Sequence, residues 1–187
     1  MRKLMTAAAT VALQSMQASA AELKIDDLIV AKTIPATQRD TELKAAKGFS
    51  QFWNTGDESL LKAAISLNFT DHTLPPGRPQ GPQGPAFASE HFRAAAPDLT
   101  VEIRKMVVAD DYVTVHMEFK GHFTGAFGKA KGQGQSIDFV ATDLLKIADG
   151  RVTDNWHIED NLTCSRRWAS PKSNNRAATA SSPKDTH

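Results

Sequence analysis

The residues with the most obvious chemical use follow the turn signal Asp149-Gly150, near the end of the regular part of the chain. In a strand that starts at this turn, alternate side chains lie on opposite faces of the sheet. Trp156, Ile158 and Asp160 then share one face, and the large apolar residues mark it as the face toward the core. A carboxylate in apolar surroundings has a raised pKa, which suits it to exchange protons near neutral pH. Asp160 is therefore the first candidate for a catalytic acid or base; the alternative is that it caps a turn in open water.

Further polar residues flank this candidate. Asn155, His157 and Glu159 occupy the opposite face of the same strand, where we expect contact with solvent or a partner chain. Asp143 lies on an apolar face of the preceding strand and could pair with a histidine or orient Asp160. The histidines and acidic residues show no His-x-x-x-His or comparable spacing, so no metal site is predicted.

The composition excludes several classes of protein. The chain has 22 Lys and Arg against 21 Asp and Glu, so it lacks the basic excess that is typical of nucleic-acid binding. No apolar run is long enough to cross a bilayer. The single cysteine, Cys164, cannot form an intramolecular disulfide or a cysteine-rich zinc site. We therefore expect neither a nucleic-acid partner nor a membrane span.

Both ends of the chain are predicted to lie outside the folded domain. Residues 1–21 begin with Met1-Arg2-Lys3, continue with small and apolar residues and reach Ala18-Ser19-Ala20, a pattern typical of a cleaved export signal. The alternative is an alanine-rich amphipathic first helix. Residues 164–187 are polar and without periodicity, which predicts a disordered tail. We therefore predict a periplasmic or secreted protein with one domain at residues 38–163.

Between these ends, helices come first and strands follow. Asp40 or Thr41 can cap a helix that ends at Gly56, and Asp57 can cap a second helix that ends near Asn68. A loop rich in proline and glycine leads to a short third helix, after which apolar and polar residues alternate as in strands. This order predicts an α+β fold, in which three helices and a curved, mostly antiparallel sheet form a cone around a central cavity.

The same segments resemble a known family. In chain order they are Phe52-Trp53-Asn54-Thr55-Gly56-Asp57, Phe69-Thr70-Asp71-His72, Asp149-Gly150-Arg151-Val152 and the pair Trp156 and Asp160. Together they are similar to the SnoaL-like polyketide cyclases, or ester cyclases, which have the nuclear transport factor 2-like cone fold. The resemblance covers about residues 45–162. It implies an enzyme without metal or cofactor that closes a ring in an apolar polyketide ester by intramolecular aldol condensation.

The resemblance also implies roles for individual residues. Asp160 matches the aspartate that acts as general acid and base in the cavity of the family. His72 matches a histidine that often faces the cavity, although it could instead end a helix, where its charge suits the helix dipole. The candidate substrate-binding residues are Trp53, Trp156, Asp143, His122 and Phe123.

Two features depart from the family and leave a second function open. The family hairpin reads Gly-Thr-His-Thr-Gly, whereas this chain has Gly121-His122-Phe123-Thr124-Gly125, which shifts the histidine by one residue. The apolar helix that usually follows the catalytic acid is replaced by polar residues. Together with the predicted export, these departures favour an alternative, a non-catalytic exported ligand-binding or dimerisation domain of the same fold.

A homodimer is predicted from the strand around residue 115. Its apolar row of Val113, Val115, Met117 and Phe119 has to be buried. On the convex face of a conical sheet, a second subunit would bury it.

Overall fold

The computed structural model describes residues 22–160, so the predicted export signal and the predicted C-terminal tail lie outside the described residues. The elements, in chain order, are β1 (Leu28–Val30), α1 (Ala36–Thr55), α2 (Glu58–Ala64), β2 (Ile65–Asp71), α3 (Gln83–Ala95), β3 (Thr100–Ala109), β4 (Tyr112–Phe123), β5 (Ala126–Phe127), β6 (Ala130–Lys131), β7 (Gln135–Ala148) and β8 (Arg151–Glu159).

Local sequence signals determine where the first two helices meet. Gly56 ends α1 with a φ of 75°, in the left-handed region that glycine adopts without strain. Asp57 begins α2, and its side chain accepts a hydrogen bond of 2.8 Å from the backbone N–H of Ser59. Both predicted boundaries are confirmed. α1 begins earlier than predicted, at Ala36 after Pro35, because the fixed φ of proline is compatible with the start of a helix. None of the helices in residues 22–160 is long and apolar enough to cross a membrane.

The second helix is shorter than predicted. The sequence predicts that it continues to about Asn68, but α2 ends at Ala64 and β2 begins at Ile65. β2 runs parallel to β8, which lies far away along the chain. Because β8 supplies the backbone hydrogen bonds, a tertiary contact overrides the helix that the local sequence favours.

The main sheet has six strands in the order β1-β3-β4-β7-β8-β2. Its four central strands are antiparallel, as predicted, whereas the edge strands β1 and β2 run parallel to their neighbours. β1 lies before residue 38, where the predicted domain begins, and the sequence did not indicate it. β5 and β6 form a separate small hairpin. The predicted α+β architecture, three helices with a curved open sheet, is confirmed.

The core lies between the sheet and the helices. Val113, Val115 and Met117 of β4 are at most 1% exposed and belong to the same cluster as Phe49 and Phe52 of α1. The apolar row that was expected to need a second subunit is thus buried within one subunit. That reason for a dimer was wrong, and the homodimer itself stays a prediction.

Candidate active site

A bulge in β8 determines which of its side chains face the interior. Ile147 and Lys146 are consecutive on β7, but their partners on β8, Val152 and Asp154, are separated by Thr153. Thr153 therefore has no counterpart on β7. One extra residue in a strand reverses the faces of all the side chains that follow it.

Exposure along β8 shows this reversal. Asn155 is 4% exposed, whereas Ile158 is 76% exposed. His157 and Glu159 line an interior cavity. The predicted faces of this strand are therefore wrong beyond the bulge, because the prediction assumed regular alternation. Asn155, His157 and Glu159 face inward, and Trp156 faces the other way.

Asp160 lies directly after the bulged strand. It follows the last residue of β8, and its backbone N–H donates a hydrogen bond of 3.0 Å to the carbonyl oxygen of Val140. Among the residues that the structure describes, it is not part of the cavity wall. Its proposed role as catalytic acid or base stays a prediction.

The cavity lies between the sheet, α1, α3 and the loop that joins β2 to α3. Its apolar wall consists of Phe49, Trp53, Phe69, Pro85, Phe92, Leu99, Met117, Phe119, Phe139 and Ala141. Its polar residues are Asp71, Arg78, Asp143, Asn155, His157 and Glu159. The cavity volume is about 30 Å³, which is room for one or two water molecules. Polar groups collected in a narrow apolar cavity are typical of a binding or catalytic site.

Asp143 is a buried carboxyl on the cavity wall. It lies on β7 between Val115 of β4 and His157 of β8, and it is 5% exposed. Burial raises the pKa of Asp143 to about 7. The positive charge of His157 lowers this pKa, and the negative charge of Glu159 raises it. Both protonation states are therefore populated near neutral pH, as proton exchange requires.

His157 forms a buried ion pair with Asp71. Its Nε2 lies 3.2 Å from Oδ2 of Asp71, and its Nδ1 lies 3.5 Å from Oε1 of Glu159. Burial lowers the pKa of His157, but the hydrogen bond to Asp71 and the surrounding carboxylates outweigh burial and raise it. Burial raises the pKa of Asp71, but His157, the backbone N–H of Thr73 and Arg78 together lower it. The pair thus favours a charged imidazolium and an ionised carboxylate.

Arg78 brings a second positive charge to this pair. Its Nη1 lies 3.7 Å from Oδ2 of Asp71 and 3.5 Å from Nε2 of His157. Because Nε2 donates to Asp71, it cannot also accept from Arg78, and the two cations share one carboxylate. Gln80 holds the proline-rich loop in place through two hydrogen bonds of 2.9 Å with the backbone of Asp71.

Asn155 presents an acceptor that has no partner. Its side chain is buried beside the cavity, and within residues 22–160 its Oδ1 has no hydrogen-bond donor. A buried polar atom without a partner costs about 1–3 kcal/mol, so its retention needs an explanation. A ligand that carries a hydroxyl or an N–H group would satisfy it.

The remaining predicted site residues lie apart from this cluster. Of the seven, Trp53 and Asp143 are the ones that line this cavity within the part of the chain that the structure describes. His72 and Trp156 stack with ring centres 4.2 Å apart, and Nε2 of His72 lies 2.7 Å from Asp154, on the face of β8 that points away from the cavity. His122, a candidate substrate-binding residue, is exposed and binds Asp98 at 2.7 Å.

Phe123 is fully buried in the core but does not line the cavity, according to the described part of the chain. Five polar residues of the site are not where the sequence predicts them. The sequence predicts Asp71 at the end of a helix, Arg78 in a surface loop, and Asn155, His157 and Glu159 on a face that contacts solvent or a partner chain. For Asn155, His157 and Glu159, the density of polar and ionisable residues around Trp156 is a signal that the sequence contains.

Comparisons with known proteins agree on the fold. The family model described as SnoaL-like polyketide cyclase matches residues 44–167. A protein from Bacillus cereus ATCC 10987, provisionally described as a polyketide cyclase, is 35% identical, with a TM-score of 0.72 over 79% of this chain and 93% of that one. No protein of curated function matches the chain in sequence.

More distant structures share the fold. IdmH from Streptomyces antibioticus, provisionally described as a polyketide cyclase, is 23% identical, with a TM-score of 0.61 over 71% of this chain and 99% of that one. A protein from Jannaschia sp. CCS1, provisionally described as a SnoaL-like polyketide cyclase, is 17% identical, with a TM-score of 0.62 over 71% and 94% of the two chains.

Proposed function

Because the chain belongs to the SnoaL-like polyketide cyclase family, we propose that it is a small acid/base enzyme that acts on an apolar carbonyl compound without metal or cofactor. The reaction is an aldol-type ring closure, or a related isomerisation, of a polyketide-like ester or ketone. The observation that carries this proposal is Asp143, a buried carboxyl with a pKa of about 7 beside the charged pair of His157 and Asp71.

Asp143 moves the proton in this reaction. Its ionised form takes a proton from the carbon next to the substrate carbonyl, and the electron pair of the C–H bond becomes an enolate. The positive charges of His157 and Arg78 stabilise the enolate oxygen. The enolate carbon then bonds to a second carbonyl carbon of the same molecule, whose oxygen receives the proton from Asp143. In an isomerisation, the proton returns to a different carbon.

A test that needs no knowledge of the natural substrate is proton exchange on a simple ketone. We expect the protein to accelerate exchange of the α-protons of 3-pentanone for deuterium in D2O, followed by NMR. Asp143→Asn should slow this exchange by roughly a hundredfold or more, because the amide cannot accept the proton. Asp160→Asn makes the same chemical change at the residue that the resemblance implies, so the two variants are compared directly.

The outcome separates the two carboxylates. If Asp160→Asn abolishes exchange and Asp143→Asn does not, Asp143 is not the base, and the role implied by the resemblance belongs to Asp160. If the wild-type protein binds ketones but exchanges no protons, the acid/base proposal fails.

A non-catalytic ligand-binding domain is the second candidate. The observation that favours it is the size of the cavity, whose volume of about 30 Å³ is too small for a polyketide. On this alternative, ligand binding would survive Asp143→Asn and no α-proton exchange would accompany it.

Export and dimerisation complete the proposal. Residues 1–21 have the pattern of an export signal, so the mature protein, periplasmic or secreted, should begin at or next to Ala21 in N-terminal sequencing. We place a homodimer contact on the outer face of the sheet, where Val140, Leu144 and Ile158 are exposed apolar residues. Light scattering at micromolar concentration distinguishes a dimer from a monomer.

A further inference from the structure

The loop between β2 and α3, residues 72–82, forms part of the wall of the inner cavity through Arg78. None of residues 72–83 is buried, whereas Asp71 and Gly84 on either side are buried. A segment that is attached without buried apolar contacts opens locally at a low cost in free energy. The loop is therefore suited to move while the rest of the fold stays in place.

The inner cavity has to open before it admits a ligand. Its volume is about 30 Å³, which is less than a carbonyl compound of the proposed class needs. Most of the apolar residues in its wall come from the sheet, α1 and α3 and belong to the packed core or lie against it. Side chains in a packed core interdigitate closely, so they resist rearrangement. Access through the loop is the route that disturbs the fold least.

Polar contacts hold the loop in its closed position. Gln80 makes its two hydrogen bonds to the backbone of Asp71 on β2. The hydroxyl oxygen of Thr73 accepts a hydrogen bond of 2.8 Å from the backbone N–H of His157 on β8. Nη1 of Arg78 lies 3.7 Å from Oδ2 of Asp71. Each of these contacts joins a side chain of the loop to the two strands beneath it.

Within the loop, Arg78 alone brings a charge to the cavity. The other ionisable residue of the loop, His72, pairs with Asp154 on the outer face of β8. The charged or titratable residues that line the cavity with Arg78 come from three strands of the sheet; they are Asp71 of β2, Asp143 of β7, and His157 and Glu159 of β8. The cavity residues of α1, α3 and β4 are uncharged. The loop is thus attracted to the sheet through one arginine.

The attraction on Arg78 increases as the pH rises. Burial raises the pKa of Asp143 to about 7, so this carboxyl gains a negative charge near neutral pH. Burial lowers the pKa of His157, but the hydrogen bond to Asp71 and the neighbouring carboxylates raise it more, so the imidazole loses its positive charge only above its ordinary pKa of 6.5. A neutral imidazole no longer competes with Arg78 for the carboxylate of Asp71. Both changes make the surroundings of the arginine more negative.

We propose that residues 72–82 are a lid over the inner cavity, which Arg78 closes more tightly as the pH rises. The inference rests on the proposed function and adds a control of access to the same site. On the acidic side, Arg78 shares one carboxylate with a charged imidazole, and the lid opens more readily to admit a ligand. On the alkaline side, the lid is closed over ionised Asp143, so the form that accepts a proton is also the form that is shielded from water.

Hydrogen exchange of two backbone amides reports on the lid without any ligand. The N–H groups of Asp71 and His157 donate to the lid side chains of Gln80 and Thr73, so they exchange when the lid opens. Their exchange rates are measured by NMR and divided by the rates for an unstructured chain at the same pH, which gives a protection factor. We expect this factor to rise about tenfold between about pH 5.5 and about pH 8.5.

Three variants test the role of charge. Arg78→Gln removes the charge and should abolish the rise, whereas Arg78→Lys keeps the charge and should retain it. Asp143→Asn removes one of the two charge changes and should reduce the rise to roughly threefold. The control is the backbone N–H of His122, which donates to Oδ1 of Asp98 at 2.8 Å outside the lid. Its protection at each pH should be the same in the wild-type protein and in Arg78→Gln.

Two results would overturn the lid. One is a protection factor that stays constant or falls in the wild-type protein as the pH rises. The other is an equal rise in the wild-type protein and in Arg78→Gln. Circular dichroism shows whether each variant folds, and Asp143→Asn remains a test if Arg78→Gln does not fold.

The ketone assay separates the lid from the proposed function. If the protection factors rise as expected but the wild-type protein exchanges no α-protons of 3-pentanone, the proposed function fails and the lid stands. If exchange of 3-pentanone depends on Asp143 while the protection of the Asp71 and His157 amides is independent of pH, the lid fails and the proposed function stands.

Discussion

Replacing Asp143 by asparagine should make the protein more stable above neutral pH, although it removes the proposed catalytic group. The folded state holds the pKa of Asp143 at about 7, whereas the ordinary value is 3.8. Between these two values the folded protein binds a proton that the unfolded chain has released, so the stability of the wild-type protein falls as the pH rises. The full penalty, about 4 kcal/mol as an upper figure, is present above about pH 8.

The asparagine variant is free of this penalty because its side chain does not ionise. We expect its free energy of unfolding to match that of the wild-type protein within about 1 kcal/mol near pH 4. Near pH 8.5 it should exceed the wild-type value by roughly 2–4 kcal/mol. Urea unfolding followed by tryptophan fluorescence at both pH values measures the difference, provided that the slope with denaturant is unchanged.

Asp154→Asn is the matched control, with the opposite sign. Asp154 lies on the outer face of β8, and its hydrogen bond to His72 lowers its pKa. It therefore contributes stability above its ordinary pKa that is lost as the pH falls through the folded value, so its replacement should destabilise the protein at neutral pH. If Asp143→Asn is less stable than the wild-type protein near pH 8.5, or differs from it equally at both pH values, the carboxyl is not held neutral by burial and the reasoning is refuted.

Two further replacements test other strained positions. Glu42 is 3% exposed and burial raises its pKa. Within the described residues, its Oε2 has no hydrogen-bond partner. Glu42→Gln should therefore raise the free energy of unfolding by about 1 kcal/mol near pH 7 and change it little near pH 4, in the same urea assay. Gly56→Ala should lose about 1 kcal/mol or more in thermal unfolding, because φ is 75° and the new Cβ would lie 2.7 Å from Nε of Arg93. Gly77→Ala is the control, because Gly77 also has a positive φ but its new Cβ would have no atom within 4 Å. It therefore measures the backbone part of the loss. Equal losses at both glycines would show that the contact with Arg93 contributes nothing.

The sequence by itself determined the features that depend on neighbouring residues. Gly56 and Asp57 mark the junction of α1 and α2 because a left-handed glycine and a capping carboxylate act within one turn of the helix. Asp149 and Gly150 have φ of 51° and 70°, the positive values that a two-residue hairpin turn requires. Regular alternation likewise predicted β3, β4 and β7, and short motifs in the expected order were sufficient to identify the family.

Only the tertiary structure decided which polar residues meet. The bulge at Thr153 depends on how β8 pairs with β7, and it turned His157 and Asn155 inward. β2 depends on a partner that lies far along the chain, and it brings Asp71 to His157. The pKa of Asp143 depends on burial by residues from several elements. In an isolated segment exposed to water, the same aspartate would have its ordinary pKa. Strand register and desolvation are properties of the assembled chain, and a local pattern of residues does not contain them.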